Sequence, residues 1–207
     1  MVRTRPAALA PLALLTLAAL AAGGCSLFSG PGVAILGDSI TVVSASHIGD
    51  ALGSYDPDIR AILGVQAGPM LPAAQAAAGN DPEQVVIELG SNDVLHGAAL
   101  DATSADLAKL VATFPKARCI HVVNINTHMT NNGKPVADRA AQLNAAIAKL
   151  PAADPRVSII DWDKVISDDI AAHPPKGLLL DDTVHPDTPG QAVLADQIKT
   201  ALDACHK

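Results

Sequence analysis

Residues 33–41 read VAILGDSIT, in which four apolar residues are followed by Gly, Asp and Ser and then by the start of a helical pattern. Further apolar runs of similar length recur along the chain, each bounded by Gly, Pro or Asp. They are Ile59–Val65, Val85–Leu89, Ile120–Ile125 and Val157–Ile160. Because these runs are continuous rather than alternating, they are typical of strands that are covered on both faces. The sequence therefore predicts a sheet with helices on both sides.

Helical patterns between and after these runs predict five helices, at residues 41–53, 69–78, 104–114, 135–150 and 189–204. The fourth carries Ala140, Leu143 and Ile147 on one face and is expected to end before Pro151. Strands that alternate with helices form parallel βαβ units. We therefore predict an α/β fold, a three-layer α/β/α sandwich with a flavodoxin-like parallel five-stranded sheet. Its ligands should bind at the carboxyl ends of the strands.

The composition narrows the class of protein. Of the 207 residues, 49% are apolar and 17% are charged, which is typical of a globular domain rather than a disordered chain. The formal net charge of −7, without any basic run, argues against nucleic acid as a partner. Aromatic residues make up only 2% of the chain, which argues against aromatic stacking platforms for sugars or bases.

Residues 1–24 resemble an export signal, with a short basic region followed by a stretch rich in Ala and Leu. The apolar part runs about 16 residues, whereas about 20 are needed to cross a bilayer. The small residues before Cys25 resemble the lipobox of bacterial lipoproteins, so we expect Cys25 to be lipidated at the outer face of the cytoplasmic membrane. Cleavage near Ala21, which would give a secreted or periplasmic protein, and an uncleaved anchor are the alternatives. The predicted organisation is a signal peptide at 1–24, the lipidated Cys and a short tether at 25–32, and one domain at 33–207.

The remaining cysteines form an even number if Cys25 carries lipid. Cys119 and Cys205 would then lie in an exported, oxidising setting, so a disulfide between them is the expectation and two buried thiols are the alternative. No second Cys or His lies at metal-ligand spacing from either residue, so no metal site is expected.

Residues suited to acyl chemistry follow the predicted strands. Ser39 stands at the turn after the first strand, Gly68 follows the second and Asn92 follows the third. Asp182 precedes His185 by three residues, so its carboxylate can hydrogen-bond one ring nitrogen and leave the other free as a base. Each feature alone has an ordinary explanation, as a helix cap, a turn or a chance pair. Together, at successive carboxyl ends of one sheet, they meet the demands of nucleophile, oxyanion hole and base.

The same positions carry a resemblance to a known family, the SGNH hydrolases, also called GDSL esterases and lipases. Its four blocks appear in order as Gly37-Asp38-Ser39, Gly68, Gly90-Ser91-Asn92-Asp93 and Asp182 to His185. The resemblance spans residues 33–204, and Gly64 competes with Gly68 for the glycine block. It implies the three-layer fold, hydrolysis of oxygen esters or thioesters, and no metal or organic cofactor.

For individual residues, the resemblance implies that Ser39 is the nucleophile, that His185 takes its proton and that Asp182 holds the imidazole tautomer. It also implies an oxyanion hole formed by the N–H groups of Ser39 and Gly68 and by the side-chain amide of Asn92.

The resulting prediction is an exported serine esterase that acts on a small-molecule or cell-envelope ester and is held at the membrane by a lipid anchor. Asp38 and Asp93 are expected to hold turns rather than to touch substrate, and a monomer is expected. The alternatives are a catalytically silent scaffolding lipoprotein with the same fold, and an acyltransferase that passes the acyl group to an alcohol instead of water.

Overall fold

The computed structural model describes residues 30–205, and within this range five parallel strands form the central sheet. The strands of the chain are β1 (Gly32–Gly37), β2 (Asp56–Ala61), β3 (Gln84–Glu88), β4 (Cys119–Val123), β5 (Thr130–Asn131), β6 (Lys134–Pro135) and β7 (Val157–Ile160). The short β5 and β6 form a separate antiparallel hairpin, and the others pair in the order β2-β1-β3-β4-β7. This is the flavodoxin-like order, with its switch point between β1 and β3. The predicted fold class is confirmed.

Helices cover both faces of the sheet. They are α1 (Ser39–Ala51), α2 (Leu71–Ala78), α3 (Ser91–Leu95), α4 (Leu100–Ala112), α5 (Ala137–Ile147), α6 (Leu150–Ala153), α7 (Trp162–Ala171) and α8 (Thr188–Ala204). A single 3₁₀ turn, Gly68–Met70, precedes α2. Parallel strands are joined by right-handed crossovers, so the reversal of direction after β2 puts successive helices on opposite faces. Accordingly α1 packs with α8, whereas α4 packs with α2 and α5.

The inner strands supply the centre of the hydrophobic core. Ile35, Ile87 and Ile120 are fully buried, and Leu143 of α5 and Ile198 of α8 are fully buried against the sheet. Each such side chain contributes about 1.5–3 kcal/mol when it is removed from water. Cover on both faces explains why these strands read as continuous apolar runs.

The predicted second strand differs from the observed one. The run Ile59–Val65 predicts a strand there, but β2 ends at Ala61, and the side chains of Ile62 and Leu63 are exposed. β2 is an edge strand, and its residues are only partly buried. The sequence of β2, DPDIRA, contains three charged residues and a proline, so it produces no continuous apolar run, and the apolar pattern displaced the prediction by several residues.

Neither α3 nor α7 is predicted by the helical patterns of the sequence. α3 is too short to show a helical period, and α7 buries only Trp162 and Ile166 against the core while most of its other residues are more polar. The helix expected at residues 135–150 is α5 followed by the separate α6. Pro151 lies in the first turn of α6, a position where proline is tolerated, so the chain resumes a helix there.

The last residues of the expected tether are packed against the domain. The carbonyl oxygen of Pro31 accepts from the N–H of Asp56 at 3.1 Å, and a Cβ on Gly30 would lie 2.0 Å from the carbonyl oxygen of Ser54. These residues pack against the chain that leads into β2 and therefore belong to the domain. The expected signal peptide and Cys25 lie outside the described residues.

A disulfide joins Cys119, the first residue of β4, to Cys205, which follows α8; the Cα atoms are 6.1 Å apart. This bridge lies at the amino ends of the strands, at the opposite edge of the sheet from Ser39. In residues 30–205, no helix has the length and apolarity to cross a membrane. Within that same range, no group of three or more His, Cys, Asp or Glu side chains is arranged to hold a metal ion.

Candidate active site

The turn between β1 and α1 presents Ser39 at the carboxyl edge of the sheet. The chain passes from strand to helix within one residue, Asp38, whose carboxylate caps α1 by accepting from the N–H of Ile40 at 2.9 Å. A Cβ on Gly37 would lie 2.0 Å from Oγ1 of Thr41, so glycine is needed for this close approach. Ser39 is the first residue of α1, and its backbone N–H therefore has no partner within the helix.

A tight turn before α8 holds an acidic residue against an imidazole. Oδ1 of Asp182 accepts from the backbone N–H groups of Val184 and His185, each at 2.9 Å. Oδ2 of Asp182 lies 2.7 Å from Nδ1 of His185, and Nε2 of the same ring lies 2.8 Å from Oγ of Ser39. The structure thus brings Ser39, Asp182 and His185 into one continuous line of hydrogen bonds.

The surroundings of Asp182 favour its ionised form. Burial raises the pKa of Asp182, but hydrogen bonds from the backbone and ring of His185 and from the backbone of Val184 outweigh it and hold the pKa below its ordinary value. A carboxylate accepts hydrogen bonds only, so Nδ1 of His185 carries the proton and Nε2 is left to accept from the hydroxyl of Ser39. The side chains of His185 and Asp182 are 29% and 48% exposed, so the site is open to solvent.

Thr183, inside this turn, adopts a left-handed backbone that sequence reasoning does not foresee. Its φ is +63°, which costs a β-branched residue about 1–3 kcal/mol. Its carbonyl oxygen accepts from Nδ2 of Asn126 at 3.0 Å, and its hydroxyl oxygen accepts from the N–H of Thr130 at 2.9 Å. Both partners belong to the segment after β4, which therefore holds the turn that carries His185. Asn126 comes shortly after a strand, as Asn92 does. A polar residue at the end of a predicted strand is therefore the sequence signal that could have identified Asn126.

Asn92 lies in α3, directly after β3, as its predicted place at a strand end requires. Gly90, with a φ of +119°, makes the turn between the two elements. Nδ2 of Asn92 donates to Oδ2 of Asp38 at 2.8 Å. One amide hydrogen is thus engaged beside the Ser39 turn, and the second is available to another acceptor.

Gly68 begins the 3₁₀ turn that follows β2. A Cβ at this position would lie 2.6 Å from Oδ2 of Asp106, so the backbone runs close to α4. Gly64, the competing candidate, is exposed, with a φ of +69° and open space where a side chain would be. Of the two, Gly68 is the glycine that the surrounding structure constrains.

Asp93 links the Gly68 turn to the helix that carries Asn92. Its carboxylate accepts from the N–H of Ala67 and from the hydroxyl of Thr103, each at 3.0 Å. Asp93 is buried, and both its oxygens are occupied by these internal contacts. Asp93 therefore ties the Gly68 turn and α4 to α3.

Two buried carboxyl groups, Asp38 and Glu88, lie next to one another beside the Ser39 turn. Burial raises the pKa of Asp38 from 3.8 to about 6, and burial together with the charge of Asp38 raises the pKa of Glu88 well above its ordinary value. The hydroxyl of Thr41 donates to Oε2 of Glu88 at 2.9 Å. Glu88 is not among the site residues predicted from the sequence. The signal that could have found it is a charged residue inside the apolar run Val85–Leu89.

Residues 35–193 match the GDSL-like Lipase/Acylhydrolase family. The matched range covers most of the chain and contains the Ser39 turn, Asn92 and the turn from Asp182 to His185. The chain therefore belongs to this family of ester-acting hydrolases.

Solved structures with the same fold include the C-terminal catalytic domain of peptidoglycan O-acetyltransferase A from Streptococcus pneumoniae. That domain is 22% identical in sequence, with a TM-score of 0.68, and the match covers 86% of this chain and 96% of that domain. A GDSL-like lipase from Bacteroides thetaiotaomicron is 20% identical, with a TM-score of 0.70 over 84% and 88% of the two chains. An acetylxylan esterase from Geobacillus stearothermophilus is 18% identical, with a TM-score of 0.69 over 84% and 94%. A sequence comparison with curated proteins finds no match. At these identities, the likeness to solved structures establishes the fold.

Proposed function

We propose that this chain is a serine esterase that cleaves carboxylic esters, with Ser39 as nucleophile, His185 as general base and Asp182 as the carboxylate that orients the base. The observation that carries the proposal is the unbroken line of hydrogen bonds from Oγ of Ser39 through the ring of His185 to Asp182, at 2.8 and 2.7 Å. These distances are within hydrogen-bond reach for a nucleophile and its base.

The reaction begins when Oγ of Ser39 attacks the carbonyl carbon of the ester and its proton passes to Nε2 of His185. The imidazolium that forms is stabilised by the carboxylate of Asp182, which stays ionised. His185 then returns the proton to the leaving alcohol, and the acyl group remains on Ser39. A water molecule, deprotonated by the same nitrogen, then attacks the acyl carbon. The bond between that carbon and Oγ of Ser39 breaks, the acid leaves, and Nε2 returns the proton to Oγ.

The negative charge that develops on the carbonyl oxygen needs hydrogen-bond donors that are already in place. We assign this role to the backbone N–H groups of Ser39 and Gly68 and to the second amide hydrogen of Asn92. The N–H of Ser39 is free of helical bonding, and Asp38 holds the Asn92 amide through its other hydrogen.

The test is ester hydrolysis by the domain from residue 30 onward, with p-nitrophenyl esters from acetyl to palmitoyl. Ser39→Ala should abolish both hydrolysis and covalent labelling by a fluorophosphonate, because the attacking oxygen is gone. Ser46→Ala is the matched control, since Ser46 is an exposed serine on the same helix. Equal labelling of wild type and Ser39→Ala would remove Ser39 from the mechanism. A folded wild type that neither hydrolyses any ester nor takes the label would favour the scaffolding alternative.

The same assay distinguishes hydrolysis from transfer to an alcohol. With glycerol or a sugar added as acceptor, an esterase should release free acid at an unchanged rate. Formation of a new ester at the expense of free acid would make the protein an acyltransferase.

We further propose that the protein is exported and anchored by lipid on Cys25, as the leader and the small residues before Cys25 suggest. Gly30 already packs against Ser54, so at most residues 26–29 would separate the lipid from the domain. Four extended residues reach about 14 Å at most. The domain would therefore work close to the membrane, on an ester of the cell envelope.

Fractionation of cells that express the full chain tests this anchoring. Cys25→Ala should move the protein to the soluble fraction or leave an unprocessed precursor, because retention would depend on the acyl chains. The mass of the mature N-terminus identifies the modification. A wild-type protein with an unmodified N-terminus near Ala22 in the medium would overturn the anchor and leave the esterase assignment standing.

A further inference from the structure

The buried carboxyl groups of Asp38 and Glu88 cannot both be charged without a compensating cation. Asp38 is 0% and Glu88 is 3% exposed. Across residues 30–205, the ion pairs formed by Lys and Arg involve neither of them. Two adjacent carboxylates in a buried site repel one another strongly, and one of them therefore holds a proton.

The hydrogen-bond donors around the pair decide which group keeps the proton. Oδ1 of Asp38 accepts from the N–H of Ile40, and Oδ2 accepts from Nδ2 of Asn92. These two N–H donors, at 2.9 and 2.8 Å, stabilise a carboxylate on Asp38. Glu88 accepts from the backbone N–H of Asp38 and bonds the hydroxyl of Thr41, a group that can either donate or accept. Asp38 thus faces two N–H groups that can only donate, and Glu88 faces one. The proton therefore resides on Glu88, which donates it to Asp38.

Other titratable groups close to the site do not reverse this assignment. His185 acts electrostatically on Asp38, and a protonated His185 would stabilise the Asp38 carboxylate further. Asp93 on α3 directs both oxygens to Ala67 and Thr103. On the neighbouring strands, Glu88 pairs in register with Gly37 of β1, and the adjacent Ile87 pairs with Val122 of β4. Neither Gly37 nor Val122 has a side chain that titrates.

We infer that Glu88 is a positioning residue of the active site: it remains a neutral carboxylic acid at working pH, and its proton holds the Asp38 carboxylate that orients the amide of Asn92. This inference rests on the proposed function, because the amide matters through the oxyanion it is proposed to bind. Glu88 touches neither substrate nor reacting atoms. It acts through Asp38 and Asn92.

The consequence appears at alkaline pH. Loss of the Glu88 proton removes a hydrogen bond to Asp38 and adds a second negative charge beside it, so the Asp38 carboxylate shifts and the Asn92 amide loses its fixed direction. The rate should then fall, by no more than the factor of about 10²–10³ that removal of an oxyanion donor costs. A gain of one proton restores the pair, so the fall should be reversible.

Infrared difference spectroscopy tests the protonation itself, without any reference to activity. At pH 8 the wild-type domain should show the carbonyl stretch of a protonated carboxyl group, and Glu88→Gln should lack that band. Glu83→Gln is the matched control, because Glu83 is an exposed glutamate that immediately precedes the same strand and pairs with Arg118. Absence of the band in wild type, or its persistence in Glu88→Gln, would overturn the inference.

Kinetics test the positioning role. Glu88→Leu should lower kcat by at least tenfold with little change in KM, and Glu88→Gln should rescue kcat, because a neutral amide can donate to Asp38 and accept from Thr41 as the acid does. Glu88→Gln should also lack the alkaline fall in kcat that wild type and Glu83→Gln share. An alkaline fall of equal size in Glu88→Gln would refute the inference, and this variant keeps the test valid if Glu88→Leu does not fold.

A double-variant comparison separates positioning from a general loss of structure. If Glu88 acts through Asn92, Glu88→Leu should cost no further activity in an Asn92→Ala background, whereas independent effects would multiply. Failure of the esterase proposal gives a different pattern, namely no Ser39-dependent activity together with an intact infrared band. Full multiplication of the two losses would leave Glu88 as a purely structural residue.

Discussion

Replacement of both Cys119 and Cys205 by Ala should lower stability without slowing the folded enzyme. The bridge joins residues 86 apart in the sequence. Restricting a loop of that size in the unfolded chain is worth about 4–5 kcal/mol as an upper figure on the chain-entropy account. For a domain of this length, each kcal/mol corresponds to about 2–4 °C, so the melting temperature should fall by up to about 10–20 °C. The bridge lies at the amino ends of the strands, away from Ser39, so kcat/KM at 25 °C should stay the same.

Urea unfolding of the oxidised wild type and of the double variant measures the difference in free energy directly. Reduced wild type is the control, and its unfolding midpoint should approach that of the double variant. Two results would refute the reasoning. One is an unfolding free energy equal to that of oxidised wild type. The other is a large loss of kcat under conditions where circular dichroism shows the variant to be folded, which would couple the bridge to the active site.

Three further perturbations address the active site and its surroundings. Asn92→Ala should lower kcat by about 10²–10³, which corresponds to roughly 3–4 kcal/mol of transition-state stabilisation, with a smaller effect on KM. The reason is that the amide is proposed to bind charge that develops in the transition state. An unchanged kcat would exclude Asn92 from the oxyanion hole. Thr183→Gly removes the hydroxyl that braces the turn carrying His185, and it should lower kcat by up to about 10²-fold, because small misplacements of catalytic groups have effects of that size. The free energy of unfolding should stay equal or rise, because glycine relieves the left-handed backbone strain. Asp81→Gly changes another left-handed residue and is the control, which should leave kcat unchanged. Equal kcat in wild type and Thr183→Gly would contradict the proposal that Thr183 braces the turn. Because burial raises the pKa of Asp38 to about 6, the native state keeps a proton that the unfolded chain has lost between about pH 4 and pH 6. The contribution of Asp38 to stability should therefore fall by about 3 kcal/mol as pH rises through that window. Asp38→Asn should make the decline of the unfolding free energy between pH 4 and pH 7 smaller, leaving the part that Glu88 contributes, and a decline equal to that of wild type would contradict the prediction.

Strand prediction succeeded where the strand itself has an apolar sequence, and this includes the edge strand β7, which matches the predicted run Val157–Ile160. The runs Val33–Leu36 and Val85–Leu89 match β1 and β3 to within one residue at each end, because inner parallel strands bury every residue. The prediction displaced β2, whose partly buried residues are largely polar, and missed α7, which buries only a narrow face. Burial at these elements depends on neighbours that are distant in sequence.

The sequence by itself placed the chemistry at strand ends. Ser39, Gly68 and Asn92 follow predicted strands, and the spacing of Asp182 and His185 permits a hydrogen bond between them. These are local facts, because the end of a strand and a separation of three residues can be read without knowing how the chain folds. Parallel βαβ topology then puts the carboxyl ends of the strands at one edge of the sheet.

Only the tertiary structure decided which of these groups meet. Ser39 and His185 are 146 residues apart, and their contact depends on how α8 packs against α1. The pairing of Glu88 with Asp38 follows from the register of β3 beside β1, which no local pattern specifies. A sequence reveals where polar groups leave a strand, but the direction in which they point and the partner they find are set by sheet register and helix packing. That is why the proton on Glu88, and with it the orientation of Asn92, belongs to the fold rather than to any motif.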